Sequence, residues 1–301
     1  MLPVLYAVTL FTGAAALFLV QPLVGKLLLP LVGGSPAVWN TCMVFFQAVL
    51  LAGYLYAHRA TNQLGVRRQA LLHLGVLAAV IVAFKLAYAT TGSPVPVVTS
   101  LIHEEQDNPV FGLVALLGVA VGVPFFVLST SSPILQRWFA ATGHHSAQDP
   151  YFLYAASNAG SLLGLLGYPL MIEPRLTLAE QQWVFAGGVV LYSALVVVCA
   201  VCLWRTPDLR NTECAALIGD KPESAETSLL APHSSLPASR ILRWVFLSAL
   251  PSSLLLGVTT YACNNLAPVP MLWVVPLALY LVSFILVFAR WPENVHQAVG
   301  N

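Results

Sequence analysis

The chain has 301 residues, and only 8% of them are charged: 13 Lys+Arg against 12 Asp+Glu. Hydrophobic residues make up 58%, with a mean hydropathy of +0.80. A soluble domain carries roughly a quarter charged residues, so this composition excludes a soluble enzyme, and a net charge of +1 excludes a nucleic-acid binder.

The solvent for most of the chain is therefore lipid. A bilayer core about 30 Å thick requires about 20 mainly apolar residues per spanning helix. The hydropathy predicts eight such stretches, over 4–25, 37–57, 70–89, 110–128, 151–172, 183–204, 241–262 and 270–289. The fold class expected is thus an all-α polytopic membrane protein with eight transmembrane helices.

The first stretch lacks a basic leader and an A-x-A site, and it reads as a spanning helix rather than a signal peptide. Pro22 and Lys26 are expected to break or tilt it near one surface. Gln21 or a neighbour can satisfy the carbonyl that Pro22 frees. In the second stretch Asn40, Met43 and Gln47 share one helical face. In the third, His73 near the inner end is expected to be hydrogen-bonded or solvated, and Lys85, a turn from the outer end, to snorkel. The connection 90–109 holds the acidic run His103-Glu104-Glu105-Gln106-Asp107. In the fourth stretch Gly118-x-x-x-Gly122 reads as helix packing.

The fifth stretch is the most informative. At about 100° per residue, Ala156, Gly160, Gly164 and Gly167 fall within about 80° of one another. They form a stripe of small residues that admits a neighbouring helix. Tyr151, Tyr154, Asn158, Ser161 and Tyr168 fall on the opposite side. A polar-aromatic face of that kind either lines a cavity or makes interhelical hydrogen bonds; in neither case does it face lipid. Lys26 and Glu173, both near the outer interface, can pair. In the sixth stretch Cys199-x-x-Cys202 lies in an apolar run and reads as packing. Residues 205–240 are rich in Ser, Pro, Ala and Glu and read as a flexible cytoplasmic linker. Pro251-Ser252-Ser253 predicts a kink in the seventh stretch.

Most Lys and Arg, among them Arg59, Arg67, Arg68, Arg137, Arg240 and Arg243, fall on one side of the predicted topology, whereas Lys26, Lys85 and Arg175 fall on the other. The positive-inside rule then places both termini in the cytoplasm. Trp138, Trp183, Trp204, Trp244 and Trp291 lie near span ends, as an aromatic belt would. Pro36-Ala37-Val38-Trp39 and Pro270-Met271-Leu272-Trp273 open corresponding helices, which suggests two parallel repeats of the major-facilitator kind. Gly53–Arg68, GYLYAHRATNQLGVRR, loosely resembles that superfamily's first cytoplasmic loop, without its usual acidic residue. The expected organisation is a six-helix MFS-like bundle over 1–204, the linker over 205–240, the first two helices of an incomplete second repeat over 241–289, and a cytoplasmic tail over 290–301.

The runs at 17–58, STSSPILQRWF (129–139), DPYFLYAASNAGSLLGLLGYPLMIEP (149–174) and 251–284 resemble the membrane part of bacterial fused MFS/spermidine-synthase-like proteins. That resemblance implies a multi-pass protein of the bacterial inner membrane. In longer members it implies a cytoplasmic domain similar to an aminopropyltransferase. No nucleotide-binding, polyamine-synthase, P-loop or metal motif occurs here, so no catalytic residue, metal site or cofactor is expected.

The leading expectation is a transporter-like module. Its cavity would be lined by Gln21, Asn40, Gln47, Tyr154, Asn158 and Ser161, and it would handle a small polar or cationic solute. The alternatives are a non-transporting anchor or partner of a polyamine-synthase-like enzyme, or a gene fragment.

Overall fold

The computed structural model describes residues 1–33, 35–101, 109–147, 150–206, 238–265 and 274–288. The regular structure among them is helical: α1 Leu2–Val32, α2 Pro36–Thr91, α3 Pro109–Leu117, α4 Val123–Ser129, α5 Ser131–Ala140, α6 Phe152–Gly167, α7 Leu178–Arg205, α8 Ala238–Asn265 and α9 Val274–Phe288. Ser35 caps α2 by accepting from the Val38 N–H. A reciprocal Thr177–Glu180 capping box opens α7; both satisfy N–H groups that a helix leaves unpaired at its start.

Eight separate spans are not what these helices form. Among the described residues five are long and apolar enough to cross a membrane: Leu2–Val32, Val38–Thr91, Val110–Ala140, Phe152–Ile172 and Leu178–Arg205. The expected second and third spans belong to one continuous element. The expected seventh falls in α8. Of the expected eighth, the described residues hold the shorter apolar helix α9.

A straight α2 would extend about 84 Å. It reverses instead at Gly65, where φ 73 and ψ 165 interrupt the helix. Only glycine adopts that region without steric cost. The ring centroids of Tyr56 and His73 lie 6.1 Å apart, although a straight helix would separate these residues by about 25 Å. The element is therefore a helical hairpin with arms 36–64 and 66–91, each long enough to cross a bilayer core.

Prolines shape the remaining irregularities. Gly118–Gly122 is a π-helical turn just before Pro124, and Tyr168–Ile172 is a second one containing Pro169. A π turn widens the backbone where a proline removes an N–H. The expected close packing at Gly118-x-x-x-Gly122 is corrected by this geometry. A Cβ on Gly118 would meet nothing within 4 Å, and one on Gly122 would find only loose neighbours at 3.9 Å. Ahead of Pro133, Ser129, Thr130 and Ser131 each donate a hydroxyl hydrogen bond to the carbonyl three residues back, at 2.6–2.7 Å. These bonds satisfy oxygens that the interrupted helix and the lipid leave without partners. By contrast, α1 runs on through Pro22 and Pro30 rather than ending near Lys26.

The chain divides into two units, Met1–Thr206 with Leu281–Asn301, and Pro207–Tyr280. In the first, α1 is the central element: Tyr6, Leu10, Val20 and Leu23 are fully buried, as are Trp138, Phe139, Tyr168 and Tyr192 from α5, α6 and α7 and their flanks. In the second, α8 continues through Pro251, and the Ser252 hydroxyl donates to the Ser248 carbonyl at 2.9 Å. Most of the expected linker (207–237), the opening of the expected second repeat at Pro270–Trp273, the acidic run 103–107 and the tail 290–301 lie outside the described residues.

Candidate functional site

The smooth face of α6 packs on α1. A Cβ at Gly160 would fall on the Phe11 carbonyl oxygen, and one at Gly164 on that of Ala15. The two backbones touch where the glycines stand, which any larger side chain would prevent. Ala156 and Gly167 are only partly buried, and Gly167 meets nothing closer than 4.0 Å. The expected stripe is thus a close approach at two of its four positions.

The opposite face of α6 is open. Tyr154 is 37% exposed and Tyr151 58%. Their rings stack on Phe288 with centroid separations of 5.5 and 6.0 Å. Asn158 is half-buried and donates to the Tyr154 carbonyl at 2.8 Å. Ser161 is buried and donates to the Ser157 carbonyl at 3.1 Å. Both hydrogen bonds stay within their own helix.

Asn40 and Gln47 are exposed on the 36–64 arm of α2. Tyr54, seven residues beyond Gln47, falls on the same helical face. It is 47% exposed. Tyr54 thus extends the polar face of α2. Its signal was the heptad spacing 40, 47, 54. Gln21 is half-buried on α1.

A cavity of about 400 Å³ in the first unit lies elsewhere. Phe11, Ala15, Leu163, Met171, Phe185 and Gly188 are among its lining residues. It is an apolar groove along α1, α6 and α7, and none of the six predicted lining residues borders it. Gly188, where a Cβ would meet nothing nearer than the Ala16 Cβ at 3.8 Å, leaves part of that space open.

Polar groups are satisfied at the end of the bundle where α6 meets α7. Lys26 Nζ pairs with Glu173 Oε1 at 2.5 Å, with both side chains about one-third exposed. The Tyr168 hydroxyl donates to Gln181 Oε1 at 2.8 Å, and Gln181 Nε2 donates to the Leu176 carbonyl at 2.9 Å. Ser93 donates to Gln182. Lys85 is exposed, as snorkelling requires. Cys199 is buried in the core with its thiol 3.4 Å from the Thr9 hydroxyl, which fits its reading as a packing residue.

The Gly65 end holds what the sequence concealed. Trp138 is no belt residue. It is fully buried, and its indole N–H donates to Gln69 Oε1 at 2.7 Å. Its ring meets His73 edge-on at 6.0 Å. Gln69 and His73 are one helical turn apart, a pattern visible in sequence. The neighbouring Arg67 and Arg68 made that turn look like a solvated surface. Trp183 and Trp244, each 52% exposed, do sit as belt residues would.

No family model, curated protein or solved structure matches this chain. Its physical class rests on its own helices. No more than half of the most apolar stretch in any of the five long helices is buried. Side chains such as Leu51, Val82, Phe111, Leu163 and Leu170 are more than half exposed. Apolar surface on that scale is stable only against lipid. The chain is a multi-pass helical membrane protein.

Proposed function

We propose that this protein is a transporter-like membrane module that offers a small polar or cationic solute a cavity bordered by Gln21, Asn40, Gln47, Tyr154, Asn158 and Ser161, with Tyr54 added. The observation that carries this reading is the pair of exposed polar-aromatic faces on α2 and α6. Asn40 and Gln47 protrude from an apolar helix, where contact with hydrocarbon would be costly. A face of this kind belongs against a water-filled passage. The resemblance to the membrane part of fused MFS/spermidine-synthase-like proteins supports the same reading and suggests polyamines as the first solutes to try. The distribution of Lys and Arg supports cytoplasmic termini in a bacterial inner membrane.

The test is uptake by proteoliposomes holding the full chain, offered a panel of polyamines and small polar solutes. Uptake of one of them, lost in Gln47→Leu and Asn158→Leu while both variants stay folded, is the expected result. Absence of uptake across the panel would refute the reading. One observation favours a second reading, a non-transporting anchor for a polyamine-synthase-like enzyme: Asn158 and Ser161 bond to their own helix and need no ligand. It predicts co-purification with such an enzyme and indifference to the same two substitutions.

A further inference from the structure

We propose that the Gly65 end of the α2 hairpin encloses an internal hydration site, with water held by His73, Gln69 and Tyr56. His73 is 1% exposed and Gln69 0%. Both ring nitrogens of His73 are buried without a hydrogen-bond partner among the described residues, and Nε2 of Gln69 and the hydroxyl of Tyr56 lie near one another without a bond of full hydrogen-bond geometry. The three side chains converge from both arms of the hairpin: Tyr56 and His73 have ring centroids 6.1 Å apart, and Trp138, which holds Gln69, meets His73 at 6.0 Å.

The chemistry of the partners selects the ligand. An indole N–H only donates, so the Gln69 atom bonded to Trp138 is its carbonyl oxygen, and the amide NH₂ is left as a pair of donors. A neutral imidazole presents one donor and one acceptor, and a phenol presents both. An anion would accept from the amide but leave one imidazole nitrogen unpaired. A cation would serve that nitrogen and leave the amide unpaired. Water accepts and donates, and buried water characteristically bridges groups of this kind. A protonated His73 would need a carboxylate beside it, whereas the rings packed against it are those of Tyr56 and Trp138. Tyr56 is only half-buried, so the site opens past its ring. This site is separate from the polar faces of α2 and α6, and its test does not depend on transport.

X-ray radiolytic labelling in H₂¹⁸O, on the full chain in lipid nanodiscs, reads water held beside buried side chains. His73 and Trp138 are expected to take up ¹⁸O well above Tyr6 and Phe139, which are equally buried; the Tyr6 hydroxyl already donates to the Cys199 carbonyl. His73→Leu is expected to bring labelling of Trp138 down to the Tyr6 level. If that variant does not fold, the wild-type comparison decides alone. Labelling of His73 and Trp138 no higher than that of Tyr6 would overturn the proposal. So would labelling of Trp138 that persists undiminished in a folded His73→Leu protein.

Discussion

The two faces of α6 meet different surroundings although they lie on the same few turns of chain. One face, at Gly160 and Gly164, touches the backbone of α1, and the space there is determined to a fraction of an ångström. The other, at Tyr151, Tyr154 and Asn158, is open, and its polar groups bond within the helix or stack on one another. The first face holds the bundle together; the second is free to do something else. Polarity alone does not separate structure from function in a membrane helix. What separates them is whether a side chain's surroundings would change if it were replaced.

Substitutions can break or sharpen that contrast. Gly164→Leu is expected to have the largest effect, because the new side chain would run into the Ala15 carbonyl, which cannot turn aside. Overpacking costs typically about 1–3 kcal/mol, and more where backbone must move. The purified variant should lose its monodisperse peak or melt far below the parent, and parental stability would dissolve the contrast. Gly65→Val tests the hairpin: forcing a branched residue to a φ of 73 costs on the order of 1–3 kcal/mol, read as a lowered melting temperature. Trp138→Phe removes the donor to Gln69 and leaves a buried carbonyl unpaired, a loss of about 1–3 kcal/mol. It should also shift intrinsic fluorescence, since a buried indole is removed. Lys26→Gln breaks the partly exposed pair with Glu173 and is expected to cost no more than about 1 kcal/mol. Asn158→Leu should leave the stability within about 0.5 kcal/mol of the parent, with uptake as the property that changes. A large loss of stability there would assign the open face of α6 to packing after all.

Much of this architecture was legible in the chain. The long apolar runs and the small-residue stripe of α6 are visible in the sequence, because each depends on residues close along the chain. The Lys26–Glu173 pair was legible as two opposite charges near one predicted surface. A reversal between the second and third spans was expected as well, but its confinement to Gly65 was not. A glycine between polar residues looks like an ordinary loop, and nothing local says that two spans meet there without one. The Gly118-x-x-x-Gly122 spacing misled, because packing and a π turn ahead of proline ask for the same small residues. Trp138 misled because its position near a span end is shared by belt residues and by a core residue whose partner is far away in the chain. On the candidate site, the polar faces of α2 and α6 were each readable from helical periodicity. Tyr54, on the same face of α2 as Asn40 and Gln47, was hidden among other aromatic residues.

The sequence by itself determined the solvent, the helical class and the faces of individual helices. Those follow from the cost of placing polar groups in hydrocarbon and from the helical repeat, both of which act over one helix at a time. Only the tertiary structure decided which faces meet, that α2 doubles back at Gly65, and that Gln69, His73 and Trp138 share one buried end. Those outcomes depend on which distant backbones can approach within contact distance, and steric fit between helices is a property of pairs that no single segment carries.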